Sequence, residues 1–154
     1  MARKHITAEQ LGLSKGLANA EESALFKWLI ASFLFGKPIQ QHIAEQAYRV
    51  IVERHRCNTP HRLASTSKAE LVRMLGVAHY VRYDNSTADR LQKLANKLLD
   101  EYDGRVSEMY KHSANRHEFE QRLSAFTGVG PRTVEIFMRE AGAGLFPPTA
   151  ENLE

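Results

Sequence analysis

Thr127-Gly128-Val129-Gly130-Pro131-Arg132-Thr133 is the stretch of this sequence whose residue types and spacing could hold a charged ligand. Gly128 and Gly130 permit a tight turn and let a ligand come close to the backbone. Pro131 suits the first position of a helix, where it has no amide hydrogen to lose. The amides around it would then face outward at the positive end of the helix dipole, a place where phosphate binds. Arg132 and Thr133 add a guanidinium and a hydroxyl beside those amides. The same residues would also make a plain tight turn between two helices, with Val129 plugging the core.

A second group of residues is basic. Arg49, Arg54, Arg56, Arg62 and Lys68 gather around His55 and His61, opposed in that stretch only by Glu53. Such a cluster suits a polyanion, and it would equally make a solvated face. It lies in the more basic half of the chain: residues 1–77 carry 11 Lys/Arg against 6 Asp/Glu, whereas residues 78–154 carry 10 against 12. The modest net charge of +3 hides that asymmetry. His55, Cys57 and His61 follow no standard zinc-ligand spacing, and Pro60 interrupts the element they would share. Neither a metal nor a cofactor is expected.

The elements that must position these residues are helical. With 154 residues, 43% hydrophobic and 25% charged, the chain has the profile of one soluble domain with a substantial core. A single cysteine, Cys57, excludes an internal disulfide framework and fits a reducing, cytoplasmic setting. The start has no apolar stretch of the signal-peptide kind, and the most apolar window, 25–35, is too short to span a membrane. No segment alternates polar and apolar residues as a half-buried strand does. Periodicity and caps instead predict about seven short helices. Thr7 and Gln10 form a capping box for a short first helix, ended near Gly12 or Gly16. A buried helix is expected over 20–35, and another over 38–55 with Pro38 in its first turn. After a break at Pro60, Ser67 and Glu70 cap a short helix stopping at Gly76. A long amphipathic helix runs from Ser86 to Gly104, and a polar connection follows to about Asn115. Apolar positions return at Phe119, Leu123 and Phe126, and a last helix is expected over 131–140, closed by Gly142.

The stretch 123–134 resembles the helix-hairpin-helix motif of the endonuclease III-like DNA glycosylase superfamily, whose hairpin reads Leu-Pro-Gly-Val-Gly-Arg-Lys-Thr-Ala. More of the chain is similar in order and spacing. Residues 25–37 resemble that family's first core helix and the loop after it, 39–52 the next helix, and 82–104 the long helix with its closing Asp-Gly. The resemblance covers 22–142 and implies an all-α, single-domain helical barrel, with 1–21 as an N-terminal segment carrying a short helix and 143–154 as a tail. It also implies double-stranded DNA as the partner, in base-excision repair.

The family's catalytic positions are altered. Where bifunctional members have a lysine in the hairpin this chain has Arg132, which stays protonated and cannot form a Schiff base. No aspartate follows the hairpin, and Glu151 is the nearest carboxylate. Arg132 and Glu151 are therefore the weak catalytic candidates. A glutamine that members often insert into the duplex is matched by Lys37. The resemblance stops where the family's chain would cross back to complete its second lobe, so half of the family's pocket wall is expected to be missing. The leading expectation is non-sequence-specific DNA binding through Gly128, Val129, Gly130, Arg132, Thr133 and Lys37, with the Arg49–Lys68 cluster adding phosphate contacts, in a cytoplasmic protein that would be nucleoid-associated if bacterial. The alternatives are an active glycosylase or abasic-site lyase using a non-standard carboxylate or a second chain, and a protein-interaction module. In the latter, the apolar face left open by the missing lobe would become a homodimer or partner surface.

Overall fold

The computed structural model describes residues 6–148, and all regular structure among them is helical. Nine α-helices and one π-helical segment appear among these residues where about seven helices were expected. They are α1 (Ser14–Ala18), α2 (Glu22–Phe35), α3 (Gln41–Tyr48), the π segment (Arg49–Arg54), α4 (Pro60–Ser65), α5 (Lys68–Val77), α6 (Asp84–Tyr102), α7 (Val106–Lys111), α8 (Arg116–Ser124) and α9 (Pro131–Leu145). No helix among them is long and apolar enough to cross a membrane.

Helix α2 is the centre. It is apolar on all sides, and Leu25, Phe26 and every residue from Trp28 to Phe35 are buried, as a core helix requires. It packs against α1, α3, α7 and α9. The indole of Trp28 donates to the carbonyl of Phe137 in α9 at 3.2 Å, so its polar edge is satisfied inside the core. Helix α6 buries Leu91, Leu94, Ala95, Leu98 and Tyr102 at three- and four-residue steps. It stops at left-handed Asp103 and Gly104, where the Gly104 amide returns to Leu98 at 2.9 Å.

Several boundaries differ from expectation for local reasons. The helix expected over 38–55 begins only at Gln41, with Pro38 left in the loop, and widens at Arg49 so that the His55 amide reaches back to Val50 at 3.0 Å. The widening coincides with Val50, Ile51 and Val52, three consecutive β-branched residues that are all buried. Pro60 opens a helix instead of breaking the chain: it is the first residue of α4, and the Thr59 hydroxyl caps that helix by accepting from the Arg62 amide at 3.2 Å. The Ser67–Glu70 capping box forms in both directions, at 3.1 and 3.0 Å. Helix α5 then continues one residue past Gly76 and reverses through left-handed His79.

The polar connection after Gly104 contains a short helix, α7, whose first amides need a partner. Val106 and Ser107 donate to the two carboxylate oxygens of Glu22 at 2.6 and 3.0 Å. Helix α9 runs through Gly142 to Leu145 because Gly142 serves packing, not termination: the Arg116 guanidinium lies within 3.2 Å of where its Cβ would be.

Residues 6–21 belong to the same core as the rest. Ile6, Ala8, Leu11, Leu13 and Leu17 are buried in it. The Thr7–Gln10 box forms, at 2.8 and 3.3 Å, but around a turn closed by Gly12; the helix comes after it. The segment packs on the later part of α9, where the Ala8 amide donates to Glu140 at 3.0 Å and the Leu17 carbonyl lies against Gly144.

Candidate nucleic-acid interface

The hairpin between α8 and α9 is built from the inside out. Phe126 and Val129 are buried, and the Val129 amide donates to the Phe126 carbonyl at 3.0 Å. Val129 is therefore the plug, and its amide is engaged within the turn. Gly128 has φ +86, and a Cβ there would fall 2.6 Å from Cδ of Arg90 and 3.2 Å from the Phe33 ring. Only glycine satisfies both the backbone angle and the space. Gly130 is extended and lends its carbonyl to the Val134 amide at 3.1 Å, which starts α9. The amides of Gly128, Gly130, Arg132 and Thr133 have no backbone acceptor among the described residues, and no side chain caps the helix.

Arg132 is exposed and is shared by two grooves. One, of about 1040 Å³, lies between α8 and α9 and carries Arg116, Glu120, Glu135 and Arg139. The other, of about 770 Å³, lies between the loop after α2 and the head of α9 and carries Lys37, Gln40, Gln41 and His42. None of residues 6–21 lines either groove, so this segment supplies no substitute lobe facing Arg132. Glu151 lies outside the described residues.

Two predicted contacts have different orientations from those expected. The Thr133 side chain is buried and its hydroxyl sits against Gly36, so the hydroxyl is taken up by packing and is not presented to a ligand. The Lys37 amine is turned into the hairpin, donating to the Gly128 carbonyl at 3.2 Å and lying 4.9 Å from the centre of the Phe33 ring. Burial, with the Arg90 charge nearby, holds this amine below the usual lysine range.

Arg90 is the neighbour of the hairpin that sequence reasoning missed. It lies half-buried on α6 against Gly128, without an ion-pair partner among the described residues. Nothing in its local sequence marks it, since the contact depends on a glycine far along the chain. Lys97, further along the same face of α6, lies 5.5 Å from the centre of the Phe126 ring and pairs with Glu101 at 3.0 Å. Of these two cations behind the hairpin, Arg90 is the one without a carboxylate partner among the described residues.

The Arg49–Lys68 cluster divides. Arg49 pairs with Glu45 at 3.1 Å and Glu53 at 3.0 Å and donates to the Gln10 carbonyl at 3.1 Å, so it clamps the π segment to the N-terminal turn. Its guanidinium, expected among the phosphate contacts, is thus engaged by two carboxylates of its own helix. Arg56 and Arg62 come together with His55 and His61 around a groove of about 310 Å³ above buried Cys57. Arg54 and Lys68 are exposed but do not line it. This groove shares no residue with the two beside Arg132.

No family model, curated protein or solved structure matches this chain. What the hairpin can do follows from its own atoms: amides without backbone acceptors at a helix head, one exposed arginine without an ion-pair partner among the described residues, and Arg90, likewise without one, packed behind the turn. That arrangement can hold a phosphate oxygen. It offers no nucleophile at position 132, because a guanidinium stays protonated.

Proposed function

We propose that this chain is a DNA-binding protein that grips the phosphate backbone of a duplex without reading its sequence, in the manner of the helix-hairpin-helix base-excision-repair proteins and without their catalytic groups. The amides of Gly128, Gly130, Arg132 and Thr133 and the guanidinium of Arg132 hold the phosphate. Lys37 and Arg90 shape the turn and add positive potential behind it. The single observation that carries this reading is that the head of α9 presents these amides without acceptors next to an arginine without a carboxylate partner among the described residues. An endonuclease III-like arrangement of the helices is part of the same proposal. Contacts of this kind position a protein on DNA but carry no base information, so affinity should be similar for duplexes of different sequence. Binding of a short duplex, followed by fluorescence anisotropy for the wild type and for Arg132→Ala combined with Gly130→Asp, tests it.

A further inference from the structure

The basic groove above Cys57 and the hairpin stand on opposite sides of α6. On one side, Arg90 packs on Gly128 and Lys97 on Phe126, so α6 meets the hairpin through positions 90 and 97. On the other, Gln92 donates to the Thr66 carbonyl at 2.7 Å, and Leu99 and Pro60 both approach Gly104, so α6 meets α4 through positions 92 and 99. At about 100° per residue, 90 and 97 share one face of the helix and 92 and 99 share roughly the opposite one. A helix about 10 Å across therefore lies between the two sites.

The α4-side groove has its own reasons to take an anion. Arg56, Arg62, His55 and His61 line it, and no carboxylate does. Neither Arg56 nor Arg62 has an ion-pair partner among the described residues. Glu70 approaches His55 from α5, and the nearby Glu53 is already engaged by Arg49. Arg56 is held at φ 58, a left-handed conformation that is strained for a residue with a side chain. The exposed large apolar residues, Val77, Val81 and Tyr83, lie elsewhere, around the turn from α5 to α6. Without an apolar anchor and with charge of one sign, the groove fits a phosphate backbone better than a protein surface.

We infer that the groove formed by His55, Arg56, His61 and Arg62 is a second phosphate-backbone site, so that one chain bridges two DNA segments, one at the hairpin and one beside α4. This inference rests on the hairpin reading for its first segment. The test immobilises one short duplex, adds protein at low salt, then adds a fluorescent second duplex, with sedimentation of the protein alone recording its oligomeric state. The wild-type monomer is expected to capture the second duplex. Arg56→Glu with Arg62→Glu is expected to bind the immobilised duplex while capturing about tenfold less of the second. Capture that persists in that variant, by way of a dimer or otherwise, overturns the proposal. So does a wild-type complex that takes one duplex and never a second. Failure to bind any duplex is a different result, since it removes the hairpin reading and this inference with it.

Discussion

The Nζ of Lys37 donates to the carbonyl oxygen of Gly128 at 3.2 Å, tying the loop after α2 to the hairpin that opens α9. Removing the donor in Lys37→Met is expected to destabilise the fold by about 1 kcal/mol. The sign of its pH dependence follows from the lowered amine. The folded chain gives up this proton more readily than the unfolded chain, so wild-type stability rises with pH from the folded-state pKa up to the ordinary lysine range. The advantage of wild type over Lys37→Met in urea unfolding should therefore widen on going to alkaline pH. A gap that stays constant or narrows counts against this assignment.

Gly128 is the hairpin's tightest point. Gly128→Ala meets both a left-handed backbone angle and the Arg90 side chain, and is expected to cost about 2 kcal/mol or more. Adding Arg90→Ala should recover the steric part and leave the backbone part, a coupling that a double-mutant cycle in urea measures. Strict additivity of the two substitutions would show that they do not meet.

Glu22 holds the start of α7 from the opposite end of the core sequence, through Val106 and Ser107. Glu22→Ala leaves two amides without their acceptor and is expected to destabilise by about 1–3 kcal/mol. Hydrogen exchange at Val106 and Ser107 should accelerate more than elsewhere. Unchanged protection at these two amides would contradict the interaction.

The Ser67 amide and hydroxyl hold the Glu70 carboxyl below the usual carboxylate range. A carboxyl depressed in the folded state stabilises at pH values above its unfolded pKa, and that stabilisation is lost as pH falls through the folded one. Wild type should therefore exceed Glu70→Gln in stability at neutral pH, and the two should converge in acid. Acid titrations of both by circular dichroism check the convergence.

The parts of the fold legible in the sequence are those whose signals are local. The all-round apolar run of α2, the three- and four-residue steps of α6, and the Ser67–Glu70 box each lie within one element, and each forms as expected. Pro60 shows the limit of a local rule: it marks a break in a helix interior and a start at its first position, and Thr59 decides between them. Helix α7 was illegible because its cap comes from Glu22 in α2. At the candidate site, the turn and its glycines could be read from spacing. The inward course of Lys37, the burial of the Thr133 hydroxyl and the arrival of Arg90 could not, since each depends on a partner brought in by tertiary packing.

The DNA reading stands on a phosphate held at the head of α9. Its sharpest test is the affinity for one short duplex across a salt series, measured for the wild type and for Arg132→Ala with Gly130→Asp. Wild-type binding is expected at low salt and should weaken as salt rises. In the variant the log–log slope should fall by about one for each phosphate it no longer neutralises, and binding should be weaker to duplexes of every sequence. Wild-type and variant lines that coincide in both affinity and slope would overturn the reading.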